Sequence, residues 1–364
     1  MQRDGGARCG DSGGRNSRFS NGPTAVALKR VGVGALVLEK SEGLRATGAA
    51  LGLHPNAWLA LDALGVSHKL TTTYAPCRNS LLPFGGDAGM DMNLEYIVHR
   101  KALLEALAEE LPMETVRYSS KLKSIVNQAL IGCDGVHSLV AHWLRLTTPV
   151  NSGRWAVRGL AIFPEGHGLN HEAHQFVTIG KRAGFIPLND KELYWFLTNL
   201  TSKSSRDLST VTWAPLMFRF PWDVIIGNLS KGNITVAGDA MHPMTPDLGQ
   251  GGCSALEDAV VLGRHIGNLI IKNKKLVAGN QVAEALERYF KERKWRVAGL
   301  IMSSYLAGWM QQDGSGWFMK FLRDAIFYRR LYGLIFAGIH YDCGKLPCVS
   351  SSNSELDNDP RKID

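Results

Sequence analysis

Residues 233–259, NITVAGDAMHPMTPDLGQGGCSALEDA, constrain this chain more than any other stretch of it. The apolar run at 234–237 reads as a buried strand that delivers Asp239 at its C-terminal end. Open α/β sheets bind ligands at the carboxyl ends of their strands, so a carboxylate placed there faces a binding crevice. A turn rich in Pro and Gly follows, and a helix opens near Gly251 and Gly252. Glycines at such a point let the backbone approach a flat ring closely. The helix N-terminus adds free N–H groups and a partial positive charge. A plain strand–turn–helix with a capping Asp also explains Gly and Asp, but not the whole HPMTPDLGQGG run.

The rest of the chain reads in the same α/β idiom, interrupted once. Residues 24–33, TAVALKRVGV, predict the last turns of a helix closed by Gly32 and Gly34. Residues 35–40 predict a short buried strand with Glu39 near its end. A helix is expected over 56–64 and stops at Gly65. Residues 96–111 predict a strand end and then a helix, with Arg100 at the junction, and 129–133 another buried strand ending at Asp134-Gly135. From 154 to 230, short alternating segments punctuated by Gly, Pro and Asn indicate an antiparallel sheet. Helices are expected over 253–271 and 282–310. At 364 residues the chain is long enough for two domains, and inserting the second into a doubly wound first is the economical arrangement.

Charge and cysteine usage exclude several classes. The net charge is +8 with a pI near 9.2, yet much of the excess lies towards the two ends of the chain. Residues 1–30 hold six basic side chains against two acids, and a second group sits around Lys291–Arg296 and Lys320–Arg330. Neither forms a helix-turn-helix, zinc-finger or aromatic-basic pattern, so nucleic acid is not an expected partner. Six scattered cysteines without a CxxC pair predict a reduced, intracellular setting without a structural metal, with cytoplasm favoured over plastid. No signal peptide or bilayer-spanning run is visible.

The segment GDAMHPMTPDLGQGGCSALEDA resembles the second FAD motif of the aromatic-hydroxylase-like, single-component flavoprotein monooxygenases, closely so their plant FAD-dependent branch. IGCDGVHS at 131–138 is similar to the DG motif of that family. The resemblance implies that Asp239 binds the FAD ribityl chain or pyrophosphate, and that Pro246 and residues 249–252, with Gly249, Gly251 and Gly252, lie along the isoalloxazine. It places Asp134 and Gly135 beside the dinucleotide, Glu39 on the adenosine ribose, and Arg45 and Arg100 at the phosphates and ribityl chain. His242, inside the motif, reads either as a proton relay or as the residue that shapes the turn. The implied activity is hydroxylation of a small organic substrate with NAD(P)H and O2, through a flavin C4a-hydroperoxide. No catalytic side chain or metal is then required, because the cofactor carries the difficult chemistry. Trp195, Phe196, Trp213, Phe218 and Trp222 are candidates for the substrate pocket or for core.

On this reading residues 1–23 are disordered, 24–150 form the first part of a Rossmann-like FAD-binding domain, and 151–230 form an antiparallel-sheet substrate domain. Residues 231–312 complete the FAD-binding domain, 313–343 form a C-terminal helix, and 344–364 a disordered tail. The segment 316–340 reads as a helix packed on the substrate domain or lying on a membrane surface. One departure stands out. The family's first motif, a strand followed by GxGxxG, would fall near residues 16–21, where the chain reads NSRFSN, and the first strand is missing. Gly32-Val33-Gly34 comes after the helix and does not replace it. The alternative function is therefore an inactive, truncated remnant that binds FAD weakly or not at all.

Overall fold

The computed structural model describes residues 21–43, 50–83, 90–120, 129–178, 180–199, 212–273, 280–312 and 339–348, without the side chains of 78–95, 212, 213, 311 and 312. Expectations for Arg45, for residues 16–20, for 121–126, for residues 313–338 of the 313–343 helix and for the 344–364 tail beyond 348 fall outside these residues; residues 340–348 are described, without helix, and Leu346 and Pro347 pack against Gly263 and Gly267.

Helix α1 (Asn21–Arg30) starts three residues earlier than the apolar pattern indicates, and Pro23 is already buried. Strands β1 (Val37–Leu38) and β2 (Ala50–Leu53) lead to α2 (Pro55–Leu64) and α3 (Ser67–Thr71). Helix α2 follows its sequence signals closely. Proline opens it, Ala57, Ala60, Leu61 and Leu64 are buried at helical spacing, and Gly65 closes it at φ +69°. Strands β3 (Pro76–Pro83) and β4 (Met90–His99) precede α4 (Arg100–Ala108), β5 (Val116–Arg117), β6 (Leu130–Gly132) and α5 (Leu139–Trp143). Next come β7 (Val150–Ile162), β8 (Glu172–Thr178), β9 (Lys181–Asn189), β10 (Glu192–Asn199) and β11 (Thr212–Phe218). The chain continues through α6 (Pro221–Ile226), β12 (Ser230–Lys231), β13 (Ile234–Val236), α7 (Gln250–Asn273) and α8 (Asn280–Gln312).

Eight strands form one sheet in the order β11-β7-β10-β9-β8-β3-β4-β2. All its ladders are antiparallel except β3 with β8, which runs parallel. The antiparallel pattern expected over 154–230 thus continues across β2, β3 and β4, which come from before residue 100. One face of this sheet is turned inward: Arg154, Ala156, Ala173, Gln175, Arg182 and Ile186 are all buried on it.

The parallel part is in two pieces. Strand β1 pairs with β5, and β13 lies between β12 and β6, with Val236 opposite Gly132. Among the described residues no ladder joins the pieces. Strand β1 was expected to be buried, but Leu36 and Leu38 are 52% and 42% exposed. Among the described residues the strand has one two-residue partner, β5, and that ladder does not cover those side chains.

A single large core lies between these pieces and the helices, built from Val26, Leu61, Leu107, Val236, Ala259, Leu262, Tyr289 and Val297 among others. Helices α1 and α7 approach very closely within it. A Cβ on Gly263 would sit 2.9 Å from the Ala27 Cβ, and one on Gly267 would sit 2.8 Å from the Val31 Cγ1. Only glycine allows that contact.

Candidate cofactor site

Strand β13 is buried along its length and ends on Gly238, at φ +60°, and Asp239, within a short 3-10 turn. Asp258, two turns into α7, holds that turn in place. Its Oδ2 accepts from the Gly238 N–H at 2.8 Å and faces the His242 Nε2 at 2.6 Å, while its Oδ1 accepts from the Arg293 Nε at 2.7 Å. Arg293 also reaches Glu257 at 2.6 Å and donates to the Ser254 Oγ at 2.9 Å. Glu257 in turn accepts from Asn56 and Arg296. Burial alone would raise the Asp258 carboxyl, but His242 and Arg293 outweigh it and bring the carboxyl to about 2. The same contest leaves Glu257 below its ordinary value, with Arg293 and Arg296 overcoming burial. This network fastens β13, the turn, α7 and α8 together from beneath. His242 is an anchor of the turn on this geometry.

A second ion pair clamps the far side. Pro246 opens a 3-10 turn over Pro246–Leu248, and Asp247 within it is buried. Arg154 of β7 donates to both Asp247 oxygens, at 2.9 and 2.7 Å, and Arg182 of β9 reaches the Asp247 carbonyl at 3.2 Å. Such a fork of parallel bonds sets the orientation of the turn as well as its position. Helix α8 crosses directly over this pair at Gly308, where a Cβ would collide with the Arg154 guanidinium and the Asp247 carboxylate. Gly249 then adopts φ +65° beside His54. The turn is held rigidly at both ends.

Between the two clamps lie Asp239 and the first turn of α7, with Gly251 and Gly252. A Cβ on Gly251 would meet nothing nearer than the Met244 Cγ at 3.9 Å and the Asp239 Oδ1 at 4.0 Å. Asp239 is only half-buried, and no hydrogen bond or ion pair to its carboxylate occurs among the described residues. Desolvation nonetheless pushes that carboxyl above the ordinary range, against the opposing pull of His242, Arg100 and Arg158. A strand-end carboxylate that is desolvated and unbonded, beside an open glycine backbone at a helix N-terminus, is an acceptor waiting for donors. Hydroxyl groups of a polyol fit it, and a flat ring system fits the open glycine edge. The donors and acceptors present therefore suit the ribityl and ring end of FAD.

The other expected residues are distributed around this point. Arg100, the first residue of α4, is buried and close enough to act on the Asp239 charge. Glu39 follows β1 as expected, but its Oε1 accepts from the backbone N–H and hydroxyl of Ser41, at 2.9 and 2.7 Å. Asp134 turns back on its own chain. It accepts from the Ser138 hydroxyl and, at 2.7 Å, from the Leu139 N–H, so its carboxylate caps α5. Gly135 is buried at φ +84°. Of the aromatic candidates, Phe196 stands on the inward face with Arg154 and Arg182. Trp195 points to the opposite face, against Gly159. Phe218 and Trp222 line a separate apolar cavity of about 210 Å³ against α8. Trp213 lies outside the described side chains.

Sequence reasoning missed both clamps. The Arg154–Asp247 and Asp258–Arg293 partners are 93 and 35 residues apart, and no local spacing announces them. Asp247 and Asp258 do lie within the singled-out segment, which was the available signal. Among the described residues no cluster suited to a metal occurs, and no helix is long and apolar enough to cross a membrane.

Comparison with known proteins meets this geometry at the same residues. A family model described as FAD binding domain matches residues 221–304, which include Asp239, Asp247 and the Asp258–Arg293 pair. The chain is 38% identical to Monooxygenase 2 of Arabidopsis thaliana over 89% of this chain and 95% of that one. It is 25% identical to an FAD-dependent urate hydroxylase of Klebsiella pneumoniae over 77% of this chain and 85% of the other. The crystal structure of Klebsiella pneumoniae HpxO with FAD and uric acid shares the fold, with a TM-score of 0.71 at 21% identity, covering 89% of this chain and 95% of that one.

Proposed function

Since the chain belongs to the FAD-dependent monooxygenase family, we propose that it couples oxidation of NAD(P)H to hydroxylation of a small organic substrate by O2. The observation that carries the reading is Asp239, a desolvated, unbonded carboxylate at a strand end beside the open backbone of Gly251. Asp239 would accept hydrogen bonds from the ribityl hydroxyls, with Arg100 at its side. Pro246, Gly249, Gly251 and Gly252 would pass along the ring edge, and Glu39 would take ribose hydroxyls. Gly135 keeps the backbone after β6 close to the dinucleotide, and Asp134 serves that turn by capping α5. When bound, FAD supplies the two-electron chemistry that links a nicotinamide donor to O2. The chain's own contribution is to orient the ring between two rigid clamps and to keep water away from it. The inward face of the eight-stranded sheet is the wall on which the substrate rests.

A second reading has its own observation. Among the described residues the parallel strands form two unconnected pieces, and in the sequence the strand and glycine loop that cradle a pyrophosphate are not recognisable at 16–21. A protein held at that stage would bind FAD weakly and hydroxylate nothing. Absorption of the purified protein with added FAD separates the two, followed by NADPH oxidation and oxygen uptake. Protein that stays colourless after gel filtration, and oxidises no NADPH, sinks the monooxygenase reading.

A further inference from the structure

We propose that Tyr341 is a positioning residue of the cofactor site, its ring acting through Arg293 on the turn that carries Asp239. The inference rests on the FAD reading above and extends that site to a segment beyond residues 221–304. Residues 340–348 form neither helix nor strand, yet they are fastened across α7 and α8 at both ends. Arg296 of α8 donates to the Ile339 carbonyl at 2.9 Å. At the other end, a Cβ on Gly263 of α7 would stand 2.9 Å from Leu346, and one on Gly267 would stand 2.6 Å from Pro347. Cys343 between them is fully buried.

Within this strap Tyr341 makes two kinds of contact. Its ring lies over the guanidinium carbons of Arg293 and Arg296, at 5.3 and 5.0 Å. Its hydroxyl donates to Glu292 at 3.0 Å, and burial raises that hydroxyl to about 12 against the pull of Arg293, so it stays a donor. Glu292 is fixed in turn by His265 at 2.9 Å and by Arg264. Burial would raise the Glu292 carboxyl, but His265, Arg264 and Tyr341 outweigh it and bring it to about 2. The hydroxyl thus sets the ring's orientation, and the ring covers the arginines. Arg293 is wholly buried while Tyr341 keeps part of its surface open, so the ring is the layer between that guanidinium and solvent.

The route from this ring to Asp239 is short. Arg293 donates to Asp258 at 2.7 Å, and Asp258 accepts at 2.8 Å from the N–H of Gly238, the residue bonded to Asp239. A ring face attracts a cation most strongly when both are desolvated. It also keeps water from the Arg293–Asp258 pair, and a lower local dielectric strengthens that pair. Without the ring, water reaches Arg293, its hold on Asp258 weakens, and Gly238 and Asp239 lose their fixed position. A side chain that only packs the strap has no such effect on the pair.

Tyr341→Phe and Tyr341→Leu in the full chain separate ring from hydroxyl, with Leu346→Ala as a variant that removes strap packing alone. Flavin titration is the first readout. Tyr341→Leu should bind FAD about tenfold more weakly than Tyr341→Phe, which keeps the cation–ring contact. Leu346→Ala should lower the melting temperature and leave FAD affinity unchanged. Melts at pH 7 and about pH 3 are the second readout and need no flavin, so they judge Tyr341 even on a colourless chain, where the monooxygenase reading fails alone. Asp258, held at about 2, loses its stabilisation as pH falls towards that value. Tyr341→Leu has less of it to lose, so its melting temperature should drop less between the two pH values than that of Tyr341→Phe. Glu292 titrates in the same range, but both variants lack its bond to the hydroxyl, so their difference isolates the ring. The other groups acting with Asp258, namely His242 and Asp239 on the turn, Tyr289 and Arg293 on α8, and Cys133, are the same in both. Should Tyr341→Leu not fold, Tyr341→Met serves as the ring-free variant. Equal FAD affinity in the Phe and ring-free variants overturns the proposal, as does an equal pH-dependent drop in a chain that binds no flavin. A loss of FAD affinity in Leu346→Ala as large as in Tyr341→Leu also overturns it, because the strap would then act by packing alone.

Discussion

Asp239 and Asp258 sit 19 residues apart around one turn and are electrostatic opposites. Asp258 is held at about 2 by His242 and Arg293, whereas burial raises Asp239. The consequences for stability have opposite signs. A carboxyl raised in the folded state costs stability at any pH above that value, and the cost disappears below the ordinary value of about 3.9. Asp239→Asn should therefore melt at or above the wild-type temperature at pH 7, while its FAD affinity falls by about tenfold or more for the lost charge-assisted bonds. Thermal melts beside flavin titrations check both halves, and unchanged FAD content would remove the central claim about this residue. For Asp258 the stabilisation is present above the unfolded value and is lost as pH falls from about 4 to about 2. Asp258→Asn should remove that acid-side loss. It should also destabilise the fold at neutral pH by about 3 kcal/mol, since Arg293 loses one of its two carboxylates. An acid titration of ellipticity identical in wild type and variant would show that the network contributes nothing.

Among the elements, glycines in long helices mark where packing was decided. Gly263 and Gly267 bring α7 against α1, with Ala27 and Val31 on the other side. Gly263→Val has no space to enter without separating the helices, and a loss of about 1–3 kcal/mol is expected from denaturant unfolding. Gly308 in α8 has a different task, because it allows the helix to lie on the Arg154–Asp247 clamp. Gly308→Ala should disturb that pair and the Pro246–Leu248 turn more than it disturbs the core. FAD retention is expected to fall more than the melting temperature. A variant that loses both in proportion, or neither, contradicts the assignment.

For the molecule as a whole, the two pieces of parallel sheet pose the main question. Replacing residues 1–20 with an apolar strand and a GxGxxG turn, joined to the helix that starts at Asn21, would place a strand between β1 and β13. Leu36 and Leu38 would then be covered, and the start of α1 would point at a pyrophosphate. Backbone N–H bonds to a phosphate are charge-assisted and worth about 1.5–3 kcal/mol each, so two or three of them change affinity by orders of magnitude. The repaired chain should purify yellow and oxidise NADPH slowly without substrate. If it takes up no more FAD than the original, the division of the parallel sheet is not what limits cofactor binding.

What the sequence determined by itself was local. The strand–turn–helix around Asp239, the α2 helix with its Gly65 stop, and the alternation that makes the antiparallel sheet are all written in periodicity and turn residues within a few positions of each other. Tertiary structure decided the pairings across long distances. It joined β3 to β8, gave Asp247 to Arg154 and Asp258 to Arg293, and turned Asp134 back to cap α5. The physical reason is that a charged side chain is satisfied by whichever group folding brings within about 3 Å. Residue type and spacing state that such a partner is needed, and only the packed chain states which one it is.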